Sequence, residues 1–236
     1  MQAIVSHSKL MRFLSLIFLA GLISLSAYAQ APKISWNLDD ALKQIDRQAD
    51  DFQTALARVQ VVRKTSSGED KNQEAATIYI SRDGKVRIDV DAPDRRTFLI
   101  TKSDVYIHKP DQSIVEQYSL SKHKNRLEPY ARLGFTNTGK DLKDDYLITS
   151  LGEQDIGESR TLGLELTPKK EKDRQVVSRA QLWIDQASWM PTRQVIYDTQ
   201  SGDSLTVTYT HTARNLKLNP DLFKTRWPKG TQKIKK

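Results

Sequence analysis

From Leu38 onward the apolar residues fall at alternating steps of four and three: Leu38, Leu42, Ile45, Ala49, Phe52, Leu56 and Val59. That spacing lays a stripe along one face of an α-helix. Asn37 stands where an N-cap is needed, and Asp39 and Asp40 fall in the first turn, where the helix dipole favours negative charge. A helix is expected from about Asn37. Its end is ambiguous, because TALARVQVVRK from Thr54 also reads as a strand.

Beyond the polar turn SSGEDKNQ the period drops to two. TIYIS places Ile78 and Ile80 on one face, Arg82-Asp83-Gly84-Lys85 signals a tight turn, and KVRIDVD places Val86, Ile88 and Val90 on one face. TFLIT, with Phe98 and Ile100, then DVYIHK and SIVEQYSL follow as short strands separated by turn residues. The stretch from Lys122 to Asp145 interrupts the series, with Pro129 placed to start a short helix through Tyr130, Leu133 and Phe135. Strands resume at YLITSL, RTLGLELT, RAQLWID, TRQVIYD and SLTVTYTHT.

With TALARVQVV included, the pattern predicts about eleven strands and two helical segments. Strands do not alternate with helices as a parallel sheet requires. The expected fold is therefore mainly β, of the α+β class, with one large, strongly curved antiparallel sheet. LWIDQASWMPTRQVIYD reads as a hairpin: Leu182 and Ile184 point one way and Trp183 and Asp185 the other. Gln186 to Pro191 turn the chain, and Val195 and Tyr197 return along the next strand. Pro191, which cannot donate to a ladder, belongs to the turn or to the first strand position. Trp183 and Trp189 are candidates for the rim of a cavity or the sheet's outer face, with ordinary hairpin packing as the alternative.

Composition narrows the chemistry. The 236 residues include no cysteine, which removes disulfides and thiolate sites. Lys9 and Arg12 precede the apolar run FLSLIFLAGLISLSA, and Ala27-Tyr28-Ala29 forms a small-x-small cleavage site. Residues 1–29 therefore read as a signal peptide cut after Ala29, with residues 30–236 as a single exported domain. Loss of the two basic residues lowers the formal net charge from +8 to +6. Such a charge suits anionic lipid or an acidic protein, and no stacking motif points to nucleic acid.

No catalytic constellation stands out. His7 precedes the signal core, and His108 and His123 lie in polar stretches without a second histidine at metal-binding spacing. His211 continues the face of Leu205, Val207 and Tyr209 and reads as a packed or rim residue. The adjacent pairs Asp39-Asp40, Asp50-Asp51 and Asp144-Asp145 diverge along any regular element. Nucleophile-elbow, Walker and dinucleotide fingerprints are absent from the sequence. The expectation is a protein that is not an enzyme and needs neither metal nor cofactor. A curved sheet that closes only partly encloses an apolar space suited to an acyl chain, unless helices fill it.

The order of parts resembles the LolA-type periplasmic lipoprotein carriers. The likeness rests on ISRDGKVRIDVDAPD, on FLITKSDVYIHKPDQSIVEQY, and on NLKLNPDLFKTRWPKGTQKI, which carries Asn215, Phe223, Pro228 and Gly230. It implies a half-open barrel with helices as a lid over an apolar cavity. It also implies a carrier that receives lipoprotein acyl chains at an inner-membrane transporter and passes them to an outer-membrane receptor. The family's lid-latching arginine matches Arg82 by position. Two alternatives stay open: an envelope-stress or lipid-sensing binding domain, and a carrier of a non-protein lipid.

By alternation, the side chains expected to line the cavity are Ile78, Ile80, Val86, Ile88, Val90, Phe98 and Ile100 from the earlier strands. Leu182, Ile184, Val195, Leu205 and Val207 complete the set from the later ones. A register error of one residue would invert a strand. A monomer is expected, and the cationic tail with Lys229, Lys233, Lys235 and Lys236 reads as a frayed, solvated end.

Overall fold

In a computed structural model that describes residues 36–120 and 133–236, the helical period gives way to the strand period at Thr54. Helix α1 spans Leu38–Asp50 and is capped by Asn37, whose side chain accepts a hydrogen bond from the Asp40 amide at 2.9 Å. It buries Ala41, Leu42 and Ile45. The apolar stripe does not extend the helix to Val59. Strand β1, Thr54–Lys64, finds a partner on each side, and Ala55, Ala57 and Val59 become its buried face while Leu56 turns to the other. Two ladders of hydrogen bonds outweigh the local helical pattern.

The remaining elements are β2 (Asp70–Ser81), β3 (Val86–Val90), β4 (Arg96–Ile100), β5 (Asp104–Lys109) and β6 (Ile114–Ser119). Helix α2 (Gly139–Asp145) follows, then β7 (Tyr146–Ile156), β8 (Ser159–Pro168) and the short α3 (Glu171–Arg174). β9 (Val177–Asp185), β10 (Pro191–Asp198), β11 (Ser204–Arg214) and β12 (Gln232–Lys235) complete the chain. Among the described residues, twelve strands form one sheet in the order β12-β6-β5-β4-β3-β2-β1-β11-β10-β9-β8-β7. This is the open, curved, mostly antiparallel sheet of a half-open barrel, with one strand more than the hydrophobic pattern predicted.

The extra strand is the tail. Instead of fraying, Gln232–Lys235 pairs in parallel with β6, and the Lys236 amide donates to the Gln117 carbonyl at 2.9 Å. The segment before it crosses the convex face, where Phe223 and Trp227 pack on the buried cluster of Leu99, Tyr106 and Val115. Too few apolar residues flank the tail to signal a strand, and its ordering comes from that tertiary anchor. Asn215, in the left-handed region at φ 57°, accepts from the Gln53 amide at 2.9 Å and donates to the Asp51 carbonyl at 3.0 Å. It thereby ties the end of β11 to the α1–β1 junction.

The second helical segment differs from the expectation as well. The helix start at Pro129 through Tyr130, the signal peptide over residues 1–29, His7 and His123 lie outside the described residues. Leu133 and Phe135 are buried in a turn, and the described helix is α2. A capping box starts it: Thr138 accepts from the Asp141 amide at 2.9 Å, and Asp141 accepts from the Thr138 amide at 3.0 Å. At Gly139 the two helices meet, since a Cβ there would lie 2.5 Å from the Leu42 carbonyl oxygen. The Gly139 amide donates to Asp46 at 2.7 Å.

Candidate functional site

Cross-strand register decides which residues share the concave face, because directly paired residues point to the same side of a sheet. Ile80, Val86, Ile100 and Val105 form one row across β2 to β5, all 5% exposed or less. The next row runs Ile78, Ile88, Phe98, Ile107 and Glu116, and the next includes Ala76, Val90 and Arg96. On the other side of β2, Val61 pairs with Val207, and Val207 with Gln194. Leu205 stands opposite Ile196, and Leu182 opposite Gln194.

Eleven of the twelve side chains predicted to face inward therefore share this face. Val195 does not. It stands opposite Gln181 and Thr206, while Gln194 and Ile196 turn inward. A buried glutamine hid the register: Gln194 is 1% exposed, and its Nε2 donates to the Leu133 carbonyl at 2.6 Å. His211 also departs from its expected face. A bulge opposite Arg58/Val59 pairs it with Arg58, and it lies exposed.

The face is covered unevenly. Over β8, β9 and β10, α1 and α2 seal Leu162, Leu164, Leu166, Ala180, Leu182 and Ile184 into one core, none above 2% exposed. Between Ile45, Phe52, Leu142, Leu182 and Trp189 a cavity of about 20 Å³ remains, room for about one water molecule. Trp189, at φ 55° in the β9–β10 turn, meets Trp36 edge-on with ring centroids 4.8 Å apart. It closes this end of the helix layer. Trp183 sits on the convex face, under the Arg193 guanidinium at 5.6 Å.

Over β1 to β5 and β11 the burial is graded along the strands. Ile80, Val86, Ile100 and Val105 form the sealed end with Phe52 and Phe135, and Tyr209 meets Phe135 at 5.6 Å with its phenol pKa pushed up by burial. Towards the opposite end Val61, Ile88, Val90, Ile107 and Val207 are only half-buried against this cluster. The apolar rows stop at charged side chains of the same face. Arg96 donates to both Glu74 carboxylate oxygens at 2.7 Å, and Lys109 donates to Glu116 at 3.1 Å. The Lys109 ammonium, with Tyr118, holds the Glu116 carboxyl below its usual pKa against the effect of burial.

The helix layer is held from the sheet by an arginine that sequence reading did not single out. Arg214, at the end of β11, donates through Nη2 to the Gln48 carbonyl in the last turn of α1 at 2.6 Å, and through Nη1 to the Gln48 side chain. Arg82, the position expected to latch the lid, is exposed in the β2–β3 turn without a hydrogen bond or ion pair among the described residues. The signal for Arg214 was its place next to Asn215, which fixes the same junction.

Chemically, the face offers apolar area and a charged margin. Among the described residues no three histidine, aspartate or glutamate side chains converge as metal ligands would. His108 packs on the convex face against Trp227, ring centroids 5.0 Å apart, and burial followed by the nearby Arg87 lowers its pKa.

Comparison with known proteins agrees with this architecture. The family model for the outer membrane lipoprotein carrier protein LolA matches residues 53–226. Among curated proteins, none matches the chain. An uncharacterized conserved protein from Thermus thermophilus superposes with a TM-score of 0.55 at 14% identity, covering 84% of this chain and 98% of that one. A LolA superfamily protein from Nitrosomonas europaea gives 0.42 at 15% identity, over 80% and 98% of the two chains. The Mycobacterium tuberculosis lipoprotein LppX gives 0.44 at 15%, over 77% and 98%.

Proposed function

The chain belongs to the family of the outer membrane lipoprotein carrier protein LolA, and from that premise we propose that it carries acyl chains across the periplasm by reversible burial on its concave face. Export would follow from the signal sequence read in residues 1–29. The acyl chains would be those of outer-membrane lipoproteins or of a related lipid, received from an inner-membrane transporter and delivered to an outer-membrane receptor. No covalent step is required.

One observation carries this reading. Val61, Ile88, Val90, Ile107 and Val207 continue the core outwards without being sealed by it. Each buried methylene contributes about 0.8 kcal/mol, so eight of them contribute about 6 kcal/mol without any hydrogen bond. The helix layer held by Arg214 would give way at its α1 end as cargo enters.

Native mass spectrometry of the mature protein purified from cell envelope, with extraction of bound lipid, tests the reading. Co-purified triacylated lipoprotein supports the carrier role, and a free phospholipid or glycolipid redirects it to lipid transport. An empty protein that also fails to take up a fluorescent fatty acid contradicts it.

A further inference from the structure

Arg96 and Lys109 stand on the last rows of the concave face. Thr97 pairs with His108 across β4 and β5, and the same register carried one step further, to the strand ends, brings Arg96 and Lys109 opposite each other. Two like charges in that relation repel, and a sheet gains when a counter-ion lies between them. The protein neutralises each cation from its far side only: Glu74 lies on Arg96 and Glu116 on Lys109. Through one Nη1 hydrogen Arg96 also donates to the Asp94 carbonyl at 3.0 Å. Its Nε, the second Nη1 hydrogen and two of the three Lys109 hydrogens have no acceptor among the described residues.

These donors adjoin the half-buried apolar rows. Arg96 stands opposite Val90, and its guanidinium lies 5.6 Å from the Phe98 ring. Lys109 follows Ile107 by two residues on the same strand and hence on the same face. Apolar floor followed by a cationic pair is the complement of an acyl chain followed by an anion. A phosphoryl oxygen set suits a guanidinium fork and an ammonium, and Glu74 and Glu116, 21% and 14% exposed, must share these cations with it or yield them.

We propose that the space between Arg96 and Lys109 is a headgroup site for a phosphoryl-bearing acyl lipid whose chains lie on Ile88, Val90, Phe98 and Ile107. The proposal rests on the carrier reading and names its substrate class. The two carboxylates then act as placeholders that hold the cations apart until the phosphoryl group arrives.

Calorimetry with dihexanoyl phosphatidylglycerol, dihexanoylglycerol and glycerol 1-phosphate tests this on the full mature chain. The expected result is that the phospholipid binds at least about tenfold tighter than the chain-matched diacylglycerol, a hydrogen bond to a charged group being worth about that factor or more. Arg96→Gln with Lys109→Gln should erase the difference and leave diacylglycerol binding unchanged. Arg96→Lys with Lys109→Arg should restore it, which separates charge from loss of fold, and Glu116→Gln should tighten phospholipid binding. Equal affinity for both lipids overturns the headgroup site while leaving the carrier reading intact. Failure of both lipids to bind overturns the two together. Glycerol 1-phosphate binding as tightly as the phospholipid overturns it in favour of a free phosphate site.

Discussion

Over β8 to β10 the concave face is sealed by α1 and α2, whereas over β1 to β5 and β11 the same face is sealed at one end of the strands only. Both halves are made of alternating strands with leucine, isoleucine and valine pointing inward. What differs is the partner. The stripe of α1 and the close approach at Gly139 deliver helix side chains into the first half to core density, leaving about 20 Å³. In the second half the apolar rows outrun that cover and end at Glu74, Arg96, Lys109 and Glu116. One sheet thus supplies the core that stabilises the fold and, beyond it, apolar rows that α1 and α2 do not seal.

The sharpest way to test this division is to remove the same kind of side chain from each half. Leu164→Ala, in the sealed half, should cost about 3–5 kcal/mol in urea unfolding and leave lipid affinity alone. Arg214→Met removes the bonds to Gln48 and leaves the end of α1 unsupported; it should cost about 1–3 kcal/mol and speed lipid uptake in stopped flow. Ile88→Ala, in the graded half, should cost about 1 kcal/mol in stability yet weaken acyl binding about tenfold. An equal stability loss at Ile88 and Leu164 would break the comparison.

The smallest effect concerns the convex face. Burial lowers the His108 pKa from its usual 6.5, so the unfolded chain takes up the proton first as pH falls. Stability should therefore decline as pH drops through 6.5 and level off below the depressed folded value, as His108 becomes charged in both states. His108→Gln should flatten that part of the urea midpoint against pH curve. A wild-type curve that stays flat between pH 7 and 5 would place no such burden on His108.

The fold was legible where local and tertiary preferences agree. Asn37 capped the helix it was expected to cap, the β2–β3 hairpin turned at Asp83-Gly84, and Pro191 took the first position of β10. Legibility failed where tertiary partners override the local pattern. Strand β1 broke the helical stripe because β2 and β11 flank it, and the tail became β12 because Trp227 anchors the segment before it. At the site, alternation placed eleven side chains on the concave face and failed at Val195, where an inward glutamine bonded to Leu133 reverses the apparent pattern. The charged margin was invisible, since nothing local tells that Arg96 and Glu74 share a face two strands apart.

Methyl-resolved NMR of the mature chain during titration with a diacyl phospholipid tests the central division most directly. The expected result is shifts at Val61, Ile88, Val90, Ile107 and Val207, with Leu162, Leu164 and Leu166, away from the Arg214 end of α1, unmoved. Shifts concentrated in the second group, or absent from both at saturating lipid, would contradict it.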